Sequence, residues 1–335
     1  MRRARPFLGL VLACLSVTAA STTSHQAVRA RMVLTAGCYY HKPAVLTADD
    51  LIVMQGYKPL PTIALTPLRG VRADLTLYVL VDNSSNYEVG SRFEDLRNFL
   101  GSQPPTTSIG VAYIQDRSLL VAQKPTNDRS RAMAALNPPS GSTPANPFEP
   151  LADLIRHMDQ DSSRRVVLMV SNGIDPATTG GSNASVEAAI EAAQRAGVTV
   201  YAIYHPSADY LTMDYSQSYL GQVQLAHLAN ETGGGAYFQG LEALPSFAPF
   251  LASIADHLAN QYLVEFLTTD VTPGTLQNVS VTSKIQDVYL MVPWRVWVPQ
   301  PRSVQSNAGA TGHQSAVPRA SACFCRQLKH AGKTN

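Results

Sequence analysis

From Leu75 to Phe238 the chain alternates apolar runs of strand length with amphipathic runs of helix length, and few folds accommodate that rhythm. The strand-like runs are LTLYVLV, IGVAYI, SLLVAQ, RRVVLMVS, VTVYAIYH and the short AYF. Between them lie FEDLRNFL, RAMAAL, PFEPLADLIRHM, ASVEAAIEAAQRAG and LGQVQLAHLANETGG. Several of the strands carry almost no polar residue, so neither face can meet water, and a sheet covered by helices on both sides is required. The helix over residues 184–196 is typical. Ala189, Ile190 and Ala193 fall on one face opposite Glu187, Glu191 and Arg195, and Gly197 stands where a left-handed cap belongs. The expectation is an α/β fold with a doubly wound, mostly parallel sheet.

The rhythm changes on either side. Residues 44–66 place short apolar stretches around a turn at Gln55–Lys58, and residues 262–298 return to strands, YLVEFLTT, LQNVSVTSK and VYLMVPWRVWV, with Pro273-Gly274 as a turn. These two strand-only segments are natural partners and predict a small flanking β unit assembled from both ends of the chain. Trp294 and Trp297 read as packing residues of that unit. Residues 299–335 lack aliphatic periodicity and read as a disordered tail. The expected organisation is a leader over 1–20, amino-terminal strands over 21–70, the α/β core over 71–260, carboxyl-terminal strands over 261–300 and the tail over 301–335.

The leader is expected because MRRARPFLGLVLACLSVTAAS joins an arginine-rich start to a short apolar run and small residues near Ala20. That run is too short to span a bilayer, and no later run is long enough, so the mature chain is expected without a transmembrane segment and secreted or periplasmic. Charge argues against nucleic-acid binding. Of 26 Lys and Arg against 24 Asp and Glu, eight bases lie in residues 1–20 and 301–335, which hold no acid, so the middle of the chain is mildly acidic. A polyanion partner would need clustered bases there. Beyond Cys14 in the leader, Cys38, Cys323 and Cys325 leave an odd count, too sparse for a disulfide scaffold, with one bridge between Cys38 and a tail cysteine open in an oxidising compartment.

In an open α/β sheet, ligands gather beyond the carboxyl ends of the strands. The loops there read Asp82-Asn83-Ser84-Ser85-Asn86, NPPSGSTPANPFEP and Ser171-Asn172-Gly173-Ile174-Asp175, all rich in side-chain oxygen. Such residues cap turns, and they also supply the ligands a hard cation prefers, so the residue types leave both roles open. A tyrosine-rich loop, SADYLTMDYSQSY, reaches the same edge, and Tyr210 and Tyr215 are candidate contacts there because tyrosine offers large contact area at low entropic cost.

These loops resemble the von Willebrand factor type A (vWA) domain, whose metal-ion-dependent adhesion site takes D-x-S-x-S from the first loop, threonine from the second and aspartate from the third. Asp82 and Ser84 match; Asn86 replaces the second serine, Asn146 falls at the threonine with Thr143 close by, and Asn172 replaces the aspartate. The segments LTADDLIVMQGYKPLPTIAL, PFEPLADLI, RRVVLMVSNGID and ASIADHLANQYLVEF further resemble a secreted vWA branch abundant in acidobacteria. The resemblance implies an exported protein-binding or adhesion module with a degenerate metal site. Asp82, Ser84, Asn86, Asn146 and Asn172 are its partner-binding candidates. Asp82, Ser84, Asn86 and Asn172, with Asp175 available to swing in, are its metal candidates. Only Asp82 is charged among the matched positions, so no cofactor is required and Mg2+ binding is expected to be weak, since affinity follows ligand charge.

No enzyme signature is present: there is no G-x-S-x-G, no G-x-x-x-x-G-K-[ST], no G-x-G-x-x-G after the first core strand and no H-E-x-x-H. The expectation is therefore not an enzyme. The alternatives are a secreted hydrolase using Ser84 or Ser85 with His205 or His227, and a structural envelope component.

Overall fold

The structure is a computed structural model of the chain and describes residues 27–38, 45–84, 90–138, 145–159, 164–176, 183–206, 215–242, 244–268 and 272–300. The leader segment, the tail with Cys323 and Cys325, and the loop positions Ser85, Asn86, Thr143 and Tyr210 lie outside the described residues.

The amino-terminal strands are β1 (Val28–Cys38), β2 (Leu51–Gln55), β3 (Lys58–Leu60) and β4 (Thr62–Pro67). The core follows as β5 (Leu75–Asp82), α1 (Gly90–Ser102), β6 (Thr107–Gln115), β7 (Ser118–Thr126), α2 (Arg129–Ala134), α3 (Phe148–His157), β8 (Arg165–Ser171), α4 (Ala184–Ala196), β9 (Val198–Tyr204), α5 (Tyr215–Glu231), β10 (Ala236–Tyr237) and α6 (Ala248–Ala259). The chain then returns to strands, β11 (Gln261–Thr268), β12 (Thr275–Asn278), β13 (Ser280–Ser283), β14 (Val288–Met291) and β15 (Arg295–Val298).

The core sheet has the order β10-β9-β8-β5-β6-β7, parallel except for β7, which pairs antiparallel with β6. This is the doubly wound α/β arrangement that the alternation requires. Side chains leave β5 alternately to the two faces, as the period of two demands. Val79 and Val81 pack with Phe93 and Leu96 of α1 and Leu251 and Ile254 of α6. Leu80 packs on the other face with Leu151 of α3, Ile190 of α4 and Leu225 of α5. Every residue of β5 and β9 is buried, which is why these strands read as unbroken apolar runs. β7 is mostly exposed, as an edge strand, and carries Lys124 and Pro125, residues that discourage further pairing. Gly197 caps α4 at φ 62°, a left-handed position where a Cβ would strain the backbone.

The flanking strands pair across great sequence distance. β1 runs antiparallel to β11, from Val28 opposite Thr268 to Thr35 opposite Gln261; β4 lies on the far side of β11, and β2 pairs with β13. Leu34, Val53, Tyr262, Val264, Phe266 and Val281 form their common core. Two features differ from the expectations. The longest strand of this part, β1, falls within the expected strand segment 21–70 but upstream of 44–66, where the individual strands are placed, although Val28, Ala30 and Met32 are buried and Arg29 and Arg31 exposed in strict alternation. Trp297 is half-buried and lies under Arg195 of α4, whose guanidinium is 4.7 Å from its ring centre, whereas Trp294 is 59% exposed and packs little.

Candidate functional site

The chain moves from β5 to β6 on one side and then crosses to β8 on the other, so strand order reverses at the β5–β8 boundary. The connection after β5 enters α1 on one face, while that after β8 leads to α4 on the other. Diverging connections open a crevice at the carboxyl ends of these two strands, the usual ligand position in such sheets. The register sets Val81 beside Val170, which brings Asp82 and Ser171 together at that point.

Asp82 is almost wholly buried, at 1% exposure, and both carboxylate oxygens are engaged. Oδ1 accepts from the Ser84 backbone N–H at 3.0 Å and from the Ser84 hydroxyl at 2.7 Å. Oδ2 accepts from the Ser171 hydroxyl at 2.9 Å. Burial raises the carboxyl above its ordinary range, and the hydrogen bonds from Ser84 and Ser171 only partly offset this. Asn172 turns its amide Nδ2 toward the Ser84 hydroxyl at 3.4 Å, while its Oδ1 accepts from the Ile174 N–H at 2.8 Å. The Ser171 hydroxyl also accepts from the Gly173 N–H at 3.1 Å.

The second half of the site centres on Asp175. Its Oδ2 accepts from Asn146 Nδ2 at 3.0 Å and from the Ser185 hydroxyl at 3.1 Å. Asn146 Oδ1 in turn accepts from the Phe148 N–H at 2.9 Å at the start of α3. Asn183 Oδ1 accepts from the Ser185 N–H at 3.1 Å and the Val186 N–H at 3.4 Å, capping α4, while its Nδ2 donates to Gln224 Oε1 at 3.1 Å on α5. The loop Ser171–Asp175 thus ties β5, α3, α4 and α5 together.

A close backbone contact holds that loop against α5. Gly173 lies at φ 68°, and a Cβ on it would come within 2.4 Å of the Gly221 carbonyl oxygen; a Cβ on Gly221 would come within 2.2 Å of the Asn172 carbonyl oxygen. Glycine at both positions allows the two backbones to touch.

The expected residues Asp82, Ser84, Asn172, Asn146 and Asp175 all join this network. Tyr215 begins α5, away from it, and is 80% exposed. Asp175 is already held by Asn146 and Ser185 instead of standing ready beside Asp82. Asn183, Ser185 and Gly221 are members that residue-type reasoning passed over, and Ser171, though quoted in the third loop, was not among the candidates. Ser171 had a usable signal, since it ends β8 as Asp82 ends β5. His205, one of the two histidines of the hydrolase alternative, is fully buried, edge-on to Phe247, with Nδ1 3.0 Å from the Pro206 carbonyl oxygen. Desolvation pushes its pKa down to about 4, so the ring is neutral at pH 7. His227 pairs with Glu187 on the surface at 2.8 Å, and neither histidine hydrogen-bonds Ser84.

The described residues of the site fit a hard cation poorly. A magnesium ion needs several free oxygens at about 2.1 Å, preferably anionic. Here Asp82 spends both oxygens on hydroxyl and amide donors, Asn172 presents a donor toward Ser84, and Asp175 is engaged with Asn146 and Ser185.

No family model and no curated protein matches the chain. Among solved structures, an aerotolerance-related membrane protein from Bacteroides fragilis aligns over 55% of this chain and 98% of its own, at 13% identity and a TM-score of 0.39. The SpRpn10 VWA domain aligns over 53% and 94%, at 13% identity and 0.37. The vWF domain of the type V pili tip protein Mfa5 from Porphyromonas gingivalis aligns over 55% and 93%, at 10% identity and 0.37. The doubly wound α/β fold of this chain rests on its own strand order and its two helical layers.

Proposed function

We propose that the chain is an exported module of the vWA kind that binds a protein partner at the crevice between β5 and β8 and does so without a bridging cation. The observation that carries this reading is the closed hydrogen bonding of Asp82. A site that recruits a partner's acidic group through a metal must leave carboxylate oxygen free for the metal, and Ser84 and Ser171 take it up instead. The crevice still offers hydroxyl and amide groups on a framework fixed by two strand ends and a glycine contact, which suits polar recognition of a protein surface. Export is supported by the leader-like start. Among the described residues no helix is long and apolar enough to cross a membrane. The reading of binding without turnover rests on the sequence, and it is compatible with Ser84, whose hydroxyl donates to Asp82 and hydrogen-bonds no histidine among the described residues.

Calorimetric titration with Mg2+ and Mn2+ tests the metal half of the proposal. The native chain is expected to bind in the millimolar range or weaker, in keeping with the dependence of affinity on ligand charge. The double variant Asn86→Ser, Asn172→Asp, which supplies a second carboxylate and a hydroxyl, is expected to bind more tightly. Micromolar binding by the native chain would overturn the metal-independent reading. Capture of an envelope protein in EDTA, lost in Asn172→Arg, is the expected result for the partner half; capture that requires Mg2+ would contradict it.

A further inference from the structure

The helix α5 buries Leu225, Leu228 and Ala229 together with Ser218, Gln222 and Gln224, whereas Tyr215, Tyr219 and Val223 stand out at 80%, 65% and 43% exposure. Large exposed side chains grouped on the outer face of a helix that already buries an apolar face mark a contact surface. The buried amides have structural employment: Gln222 donates to the Gly240 carbonyl and Gln224 accepts from Asn183. The outer aromatics have none within the described core.

The outer face has a second regularity. Ser216, Tyr219, Val223, Ala226 and Asn230 follow one another at steps of three, four, three and four, the spacing of a helix-packing seam, over about 21 Å of helix. None of these positions is buried. From Tyr215 to Asn230 there is no Asp, Glu, Lys or Arg. Glu187 of α4 reaches the flank of the helix through His227, but the seam itself has no base to attract a polyanion or an acidic peptide and no formal charge to repel a copy of itself.

We propose that α5 is the contact surface of a reversible two-fold dimer, in which this seam packs antiparallel against the same seam of a second copy. The sequence of sizes selects that occupant. With the two-fold axis at Val223, each Tyr219 lies four residues before the centre and Ala226 of the second copy three residues after it, an offset of about 1.5 Å along the axis. A large side chain meets a small one, Ser216 meets Asn230 at either end, and Val223 meets its own counterpart, as an isologous contact requires. The exposed parts of Tyr215, Tyr219 and Val223 come to about 350 Å² per protomer, taking about 200 Å² for a tyrosine. A standard interface uses about 800 Å² per partner, so the dimer dissociates readily, with Kd on the order of tens of micromolar. Because Gly221 of the same helix touches the Asn172 carbonyl, the pairing carries two β5–β8 crevices as one rigid unit. Two sites on one body raise avidity for a partner that presents repeated epitopes.

Sedimentation velocity of the full chain from about 1 to 200 µM, concentrations that bracket this Kd, tests the proposal. Weight-average mass should climb from one chain toward two. Val223→Lys and Tyr219→Glu, both at exposed positions, should each hold the chain monomeric with an unchanged circular dichroism spectrum. Tyr219→Ala and Ala226→Tyr should each weaken pairing at least several-fold, and the double variant should recover it, because the large-on-small match is then restored in mirror order. A chain that stays monomeric throughout, a dimer indifferent to Val223→Lys, or a double variant no better than its parents would overturn it. Capture of a different protein through α5 by a chain that never dimerises would overturn it too.

Discussion

Replacing Gly221 by alanine sets helix propensity against packing, and the structure decides the sign. In a helix interior Gly→Ala ordinarily stabilises by about 0.5–1 kcal/mol, because alanine loses less backbone freedom on folding. At Gly221, however, the new methyl would come within 2.2 Å of the Asn172 carbonyl oxygen and 2.9 Å of Ile174 Cγ1. The nearer atom belongs to backbone and cannot rotate aside, so α5 and the third loop must separate. Overpacking of this kind costs about 1–3 kcal/mol, more where backbone has to move, which leaves a net loss of about 1–2 kcal/mol. Gly101, the penultimate residue of α1, is the control for added bulk, since the nearest atom to its added methyl is Met133 Sδ at 3.9 Å, an ordinary contact. Differential scanning calorimetry is the assay. Gly221→Ala should lower Tm by about 2–8 °C, while Gly101→Ala should leave it unchanged or raise it by up to about 4 °C, using about 2–4 °C per kcal/mol. A Gly221→Ala protein as stable as Gly101→Ala would refute the claim that helix and loop are in backbone contact.

Two pH experiments follow from buried titratable groups. His205 has its pKa pushed down to about 4 in the fold from an ordinary 6.5, so the unfolded chain takes up the proton first. Its contribution is present above pH 6.5 and is lost as pH falls toward 4, by about 3 kcal/mol over that window at 1.36 kcal/mol per pKa unit. His205→Phe should flatten this acid slope in urea melts between pH 7 and 4, and an unchanged slope would place the acid sensitivity elsewhere. Asp82 works in the opposite direction. Burial raises its carboxyl, so the folded chain takes up that proton first and gains stability as pH falls through the folded pKa toward 3.8. In the His205→Phe background, Asp82→Asn should remove that gain; a variant whose acid profile matches its parent would contradict it.

Much of the fold was written in short-range pattern. The buried strands β5, β8 and β9 could be read because both of their faces meet helices, which leaves no polar position to blur the run. The cap at Gly197 could be read because only a residue without a Cβ takes φ 62° cheaply. β1 escaped for a different reason. Its alternation VRARM is clear, but its partner β11 lies more than 200 residues away, and its burial exists only once Tyr262, Val264 and Phe266 cover it.

At the candidate site, the residue types and the loops that carry them were settled by sequence. Asp, Ser and Asn at the strand ends can bind a cation or bind each other, and their chemistry allows both. The choice depended on which donors arrive at Asp82 in space. Strand register brings Ser171 to its second oxygen, Asn172 turns an amide toward Ser84, and Asn146 and Ser185 occupy Asp175. Likewise, His205 has the same side chain in a solvated loop or a sealed core. Only the approach of Phe247 and the two helical layers made it a buried neutral ring, because desolvation is a property of the surroundings and not of the residue.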